Sequence, residues 1–396
     1  MLLPLSGEVD PSKTFATYFF GVQALITYKM PRVIFSPLRR EQQVMTALIK
    51  TSQSKILDKD ISILDGRISI PKKYLRERAF LESTSILVVS GSLIEGIGTI
   101  HSDIDCIILC DQRPKANNIK NSEHALVTDI NYHYITQDEE VHNTTDFYGD
   151  TSIHIDADYI TFSELEGIIA KISKAFEAIT YDQHFLYGPV LSNTENNVIH
   201  RSLIGYALEN EEKFNQLRSE IPLEKHIYVA HREKLPVFYA FQDVQGCWQS
   251  GNLWMGCEIA RDMMLKTTMS FTYLTGTTNK HYKWVYSNMF RVNGFDEIKN
   301  KFFVLARQGA VTEAECRSYI QETLKYMDLV FLAIEGLLKK SKIYPSTQKS
   351  LSALDKEFNK RKQTKHKISM CEYYFRKKYF AAEGTPSLIS LLKEWD

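Results

Sequence analysis

Two aspartates one residue apart, Asp103 and Asp105, stand in the stretch SGSLIEGIGTIHSDID, between the apolar runs ILVV and CIILC. In an extended chain successive side chains alternate, so the pair shares a face with about 6.5–7 Å between them along the backbone. Carboxylates held that close repel each other, and burying them uncompensated raises at least one pKa. A divalent cation such as Mg²⁺ relieves the repulsion, because it takes hard oxygen ligands and leaves positions open for phosphate oxygens. Just upstream, the apolar run ends at Ser90 and the chain turns at once through Gly91 and Ser92. A helix starting there would direct unpaired backbone N–H groups at an anion. Gly91 admits a phosphate close to the backbone, and the Ser92 hydroxyl can donate to it. Gly96 and Gly98 are expected to loosen the link between this helix and the aspartate strand.

Chemistry with two divalent ions uses a further carboxylate, from a neighbouring strand, on the ion that activates the attacking hydroxyl. The stretch SIHIDADYIT offers Asp156 and Asp158 on one strand face. Asp156 is preferred because it follows the apolar alternation of IHIDA; Asp158 is the alternative third ligand.

The order strand, GS, loop, SDID, strand and a later acid-bearing strand, read in VVSGSLIEGIGTIHSDIDCIIL and SIHIDADYIT, resembles the nucleotidyltransferase superfamily with a DNA polymerase beta-type catalytic core. Among its members the chain looks most similar to the small-molecule, aminoglycoside- and lincosamide-type enzymes. The resemblance implies an α+β fold, with a mixed sheet and helices followed by a mostly helical C-terminal domain. It implies transfer of a nucleoside monophosphate, AMP by preference, from a nucleoside triphosphate to a hydroxyl of a small-molecule acceptor, with pyrophosphate leaving. Asp103 and Asp105 would hold two Mg²⁺ ions, for which Mn²⁺ could substitute. Asp156 would ligate the catalytic ion and help deprotonate the acceptor, while Gly91 and Ser92 hold the β- and γ-phosphates.

Two other readings keep the motif. One is a cyclic or linear oligonucleotide synthase similar to the cGAS- and DncV-like enzymes, although Gly98-Thr99 lies two residues beyond the GSxxxGT spacing. The other is a protein-nucleotidylating antitoxin-type or regulatory module.

The elements that must position these residues follow from periodicity. Strand candidates are ILVV, DIDCIILC, VTDINYHYIT and SIHIDADYIT, followed by the helical SELEGIIAKISKAFEAI. KKYLRERAFLEST reads as a helix leading into the first strand, and SPLRREQQVMTALIKTS as one opening at Ser36-Pro37. RSLIGYALENEEKFNQLRSEI, GNLWMGCEIARDMMLKTTMSFTYL and EAECRSYIQETLKYMDLVFLAIEGLLKK carry helical apolar spacing. The expected organisation is a helical or irregular extension over 1–80, a catalytic domain over 81–190 and a helical domain over 191–396.

Composition bounds the partners. The chain has 396 residues, with 48 basic and 48 acidic, so its net charge gives no general pull toward nucleic acid. Between Lys120 and Lys171 there are acids but no Lys or Arg, which leaves a nucleic-acid acceptor the less favoured option. The basic and aromatic run FNKRKQTKHKISMCEYYFRKKYF reads as a solvated helix face over a packed stripe. No apolar window suits a membrane span, and the opening residues do not read as a signal peptide. A cytoplasmic protein is expected, its six cysteines reduced and buried.

In TGTTNKHYKWVYSN, small-molecule members of the family suggest a basic residue facing the nucleotide. Lys283 is taken as nucleotide-binding, with Lys280 as the other candidate. Trp248 and Trp254 are read as core before ligand platform, and His154 shares a face with Asp156 if the strand is regular.

Overall fold

The structure, a computed structural model, describes residues 55–120, 126–127, 139–148, 153–178, 190–234, 238–344, 355–356, 359 and 387–393. These all fall in one compact unit, Met45–Asp396. The expected helix at Ser36-Pro37 and almost all of the basic C-terminal run lie outside the described residues.

Three short strands come first: β1 (Lys55–Ile56), β2 (Asp60–Ile63) and β3 (Ile68–Pro71) form an antiparallel sheet. Within the described part of the 1–80 segment, residues 55–71 form strands where helix or irregular chain was expected, while Lys72–Arg78 is helical. The reason is the alternation in DISI and ISIP about a turn, where Leu64, Asp65 and Gly66 take positive φ of 53°, 57° and 85°. Helix α1 (Lys72–Arg78) follows and stops well short of the expected helical run.

The main sheet comprises β4 (Ile86–Ser90), β5 (Ile104–Cys110), β6 (Leu126–Val127), β7 (Asn143–Phe147), β8 (His154–Thr161) and β9 (Tyr206–Ala207). Its order is β6-β7-β8-β5-β4-β9. Only β5 and β8 run parallel, so the sheet is mixed, as expected. Of VTDINYHYIT, only Val127 lies among the described residues, in β6. One sheet face buries Val89, Cys106, Ile108 and Tyr159 against Ile61, Ile63 and Ile70 of the small sheet. Cys106 and Cys110 share this face; these and the other three described cysteines are buried and free.

The opposite face buries Val88, Ile107, Leu109 and Ile160 under helices. Between β4 and β5 lies α2 (Ser92–Glu95), and after β5 comes α3 (Ala116–Lys120). Helix α4 (Phe162–Glu177) starts at a Thr161/Glu164 capping box and buries Leu165, Ile168 and Ile172 against the sheet, while Phe176 packs into the core of the later helices. Helix α5 (Asn193–Ile204) opens at a second box, Ser192/Glu195, and buries Val198 and Ile199 on the same face.

The run RSLIGYALENEEKFNQLRSEI, expected as one helix, breaks at Gly205. A β-carbon there would lie 2.5 Å from Val88 Cγ1, so only glycine lets the chain come this close to β4 and add β9 to its edge. Helix α6 (Glu211–Glu220) then covers the sheet through Phe214.

The remaining described elements are helical: α7 (Leu223–Lys234), α8 (Phe238–Ser250), α9 (Leu253–Leu274), a tight turn at Tyr282–Trp284, α10 (Val285–Arg291), α11 (Asp296–Arg307), α12 (Glu313–Lys340) and α13 (Leu388–Lys393). They share one apolar core around Ala260, Met264, Phe302, Tyr319 and Met327. Among the described residues no helix is long and apolar enough to cross a membrane.

Candidate active site

The site begins with strand register. Ser90 pairs with Asp105 across the antiparallel β4 and β5, and Asp105 pairs with Asp156 across the parallel β5 and β8. Gly91, the residue after Ser90, therefore emerges beside the Asp105 carboxylate. A β-carbon on Gly91 would lie 1.9 Å from Asp105 Oδ2, and φ is +90° there, so both contact and backbone demand glycine. Gly91, Ser92, Asp103 and Asp105 line one cleft, and Lys283 and Trp284 line it from the helical side.

Two expectations about the Gly-Ser turn need correction. Helix α2 is a single turn ended by Gly96 at φ 80°, too short to build the dipole of a longer helix. Ser92 shares the cleft with two cationic side chains, Arg201 and Lys283. Gly98 tightens the loop where loosening was expected. The Ile97 and Gly98 N–H groups both donate to the Ser92 carbonyl, at 3.0 and 2.8 Å, and a β-carbon on Gly98 would sit 2.9 Å from Leu93 N.

The four candidate acids differ in surroundings. Asp103 precedes β5, with its side chain 47% exposed and Oδ1 4.0 Å from His154 Nδ1. Asp105 is largely buried. Burial pushes its carboxyl up to about 6, with Arg201 pulling the other way and Asp156, Asp158 and Asp103 adding to the rise. Asp156 accepts a 2.7 Å hydrogen bond from Thr145 Oγ1. Its pKa is also raised, by burial first and then by Asp103 and Asp158 against the Thr145 bond. Asp158 accepts from Asn143 Nδ2 at 2.8 Å. Asp156 and Asp158 fall outside the cleft's lining.

Sequence reasoning missed Arg201, from α5. Its Nη2 pairs with Asp105 Oδ1 and its Nη1 with Asp158 Oδ2, so one guanidinium spans two of the four acids. Nothing local in RSLIGY marks this residue, because the pairing joins positions 96 residues apart.

A second missed cluster ties the Gly-Ser turn to the helices. Glu95, the last residue of α2, receives Arg291 Nη2 at 2.5 Å, Asn279 Nδ2 at 2.9 Å and His200 Nε2 at 3.3 Å. Burial disfavours its charge, yet His200 and Arg291 outweigh burial and hold the carboxyl at about 2. Asn279 also fixes the segment carrying Lys283, by accepting from His281 N at 3.1 Å and through its carbonyl from Asn288 Nδ2 at 3.1 Å.

Of the secondary candidates, Lys283 Nζ stands 4.9 Å from the Trp284 ring centroid at the cleft wall. Lys280 is instead committed to a buried pair with Glu233 at 3.3 Å. Trp248 is core, whereas Trp254 is 63% exposed. His154 packs edge-on against Phe147, with ring centroids 4.5 Å apart.

No family model matches this sequence, and no curated protein matches it. Among solved structures, a nucleotidyltransferase-like protein from Exiguobacterium sibiricum is similar over 77% of this chain and 89% of its own, at 10% identity and a TM-score of 0.35. A likeness that weak bears on neither substrate nor mechanism.

As donors, Asp103, Asp105 and Asp156 are hard carboxylates of neighbouring positions, and burial first, then the neighbouring acids, raises the pKa of Asp105 and Asp156. Their chemistry fits Mg²⁺. In the conformation described, no three His, Cys, Asp or Glu side chains among the described residues converge closely enough to hold a metal ion.

Proposed function

We propose that this chain is a nucleotidyltransferase that moves a nucleoside monophosphate, AMP by preference, from a nucleoside triphosphate to a hydroxyl of a small-molecule acceptor. The observation that carries the reading is the shared register of Gly91, Asp105 and Asp156. It brings the Gly91 turn and two adjacent carboxylates together at the ends of three neighbouring strands.

In this reading Asp103, Asp105 and Asp156 hold Mg²⁺. Asp156 is preferred over Asp158 as the third ligand, because it pairs directly with Asp105 while Asp158 is engaged by Arg201 and Asn143. Mg²⁺ held there would supply charge neutralisation and acidify the acceptor hydroxyl. Ser92 and Lys283 hold the leaving phosphates from the two sides of the cleft. The acceptor oxygen bonds to the α-phosphorus as the bond from that phosphorus to the bridging oxygen breaks. Pyrophosphate carries off that electron pair, and the hydroxyl proton passes toward Asp156. Positioning and charge compensation supply most of the acceleration.

The test is pyrophosphate release from each nucleoside triphosphate with Mg²⁺ or Mn²⁺, over a panel of aminoglycosides, nucleotides and cell extract, with Asp105→Ala as control. Release that needs Asp105 and an added acceptor supports the reading. Absence of release under every condition overturns it, and nucleotide oligomers as products would replace the small-molecule acceptor by a second nucleotide.

A further inference from the structure

We infer that Arg201 is the site's built-in counter-ion, whose guanidinium neutralises Asp105 and Asp158 and must give up Asp105 for a divalent cation to bind there. The inference rests on the metal-dependent reading above and adds a competitor for the same carboxylate.

Three observations carry it. The first is the bridge itself, in which the two terminal nitrogens of one guanidinium take oxygens of two different acids. Such charge-assisted bonds are among the stronger polar contacts available to a carboxylate. The second is how firmly Arg201 is presented. Helix α5 is capped by Ser192/Glu195 at its start and packed through Val198 and Ile199. Its end is pinned by Gly205, whose N–H donates to the Arg201 carbonyl at 2.8 Å and whose α-carbon abuts β4. The guanidinium therefore rests beside the acids with its side chain only 16% exposed.

The third is what the bridge leaves for a cation. Asp105 Oδ1 is taken by Arg201 and Oδ2 lies against Gly91. The half-exposed Asp103 stands free of the bridge, and Asp156 is held by a neutral hydroxyl. A cation can therefore meet Asp103 first, but gains Asp105 only as Arg201 withdraws. Arg201 lines the same cleft as Gly91 and Ser92, so the withdrawn guanidinium has the phosphate end of that cleft within its surroundings.

The experiment is Mn²⁺ binding to the full-length protein without nucleotide, by electron paramagnetic resonance of free Mn²⁺, for wild type, Arg201→Gln and Arg201→Lys. Thermal unfolding with and without Mn²⁺ accompanies it. The expected result is roughly tenfold or tighter binding by Arg201→Gln, the scale of a lost charge-assisted bond. Arg201→Lys, a point charge that cannot bridge two acids in the same way, falls between. The Mn²⁺-induced rise in melting temperature is expected to be larger in Arg201→Gln than in wild type. Equal or weaker Mn²⁺ binding by Arg201→Gln overturns the inference and leaves the metal reading standing. If that variant does not fold, Arg201→Lys decides by the same criterion. Failure of wild type and variants alike to bind Mn²⁺ overturns the metal reading together with the inference.

Discussion

The carboxylate of Asp105 rests directly on Gly91, closely enough that a β-carbon at Gly91 would come within 1.9 Å of Oδ2. Gly91→Ala must therefore displace the acid most central to the site, and it also puts a side chain at φ +90°. The expected cost is about 2 kcal/mol of stability, read as a lower urea midpoint. Transferase activity is expected to vanish even at temperatures where the variant remains folded.

Asp156 and Asp158 lie on one strand, yet only Asp156 pairs with Asp105. Asp156→Asn is expected to lower the rate of pyrophosphate release on the order of 10²–10³-fold, with little change in folding. Asp158→Asn is expected to cost less activity and more stability, because it frees one end of the Arg201 bridge. Equal rate losses in the two variants would remove the preference for Asp156.

Glu95 joins the Gly-Ser turn to Asn279 and Arg291, residues 184 and 196 positions away. Glu95→Gln keeps the shape but removes the charge that Arg291 pairs with in a largely buried place. A loss of about 3 kcal/mol is expected in chemical denaturation. KM for the nucleotide should rise more than kcat falls, since Lys283 is carried by the segment that Glu95 holds. A rise in KM without loss of stability would mean that the network does not support the fold.

His226, in α7, is 1% exposed, and neither ring nitrogen has a hydrogen-bond partner among the described residues. Burial, helped by Lys280 and His200, pushes its pKa down from 6.5 to about 3. Between those values the unfolded chain binds a proton that the folded protein refuses. Stability from this group is therefore intact above about 6.5 and falls as pH drops toward 3, by up to about 1.4 kcal/mol per pH unit. Asp105, raised from 3.8 to about 6, acts with the opposite sign, its contribution being lost as pH rises through that window. Comparing wild type with His226→Leu cancels the Asp105 effect. The variant is expected to lose less stability between pH 7 and pH 4.5 in urea titrations.

Several elements of the fold are legible in the amino-acid sequence. EAECRSYIQETLKYMDLVFLAIEGLLKK forms α12 from its first residue to its last, and ILVVS, IDCIILC and HIDADYIT are strands, because periodicity and capping are local properties. Asp103, Asp105, Gly91 and Ser92 do meet at one cleft. The break at Gly205 is not legible in the same way, because a glycine in a helical pattern does not disclose that Val88 will stand 2.5 Å from where its side chain would be.

By itself, then, the amino-acid sequence determined the strands that carry the acids, the long helix over Glu313–Lys340 and which acids lie on one strand face, since these follow from periodicity along the backbone. Only the tertiary structure decided that Asp156 pairs with Asp105, that Arg201 bridges Asp105 and Asp158, and that Glu95 anchors the turn to the distant helices. Those contacts depend on strand register and on side chains converging from segments roughly fifty to two hundred residues apart, and no local pattern encodes which partners the packed chain will bring together.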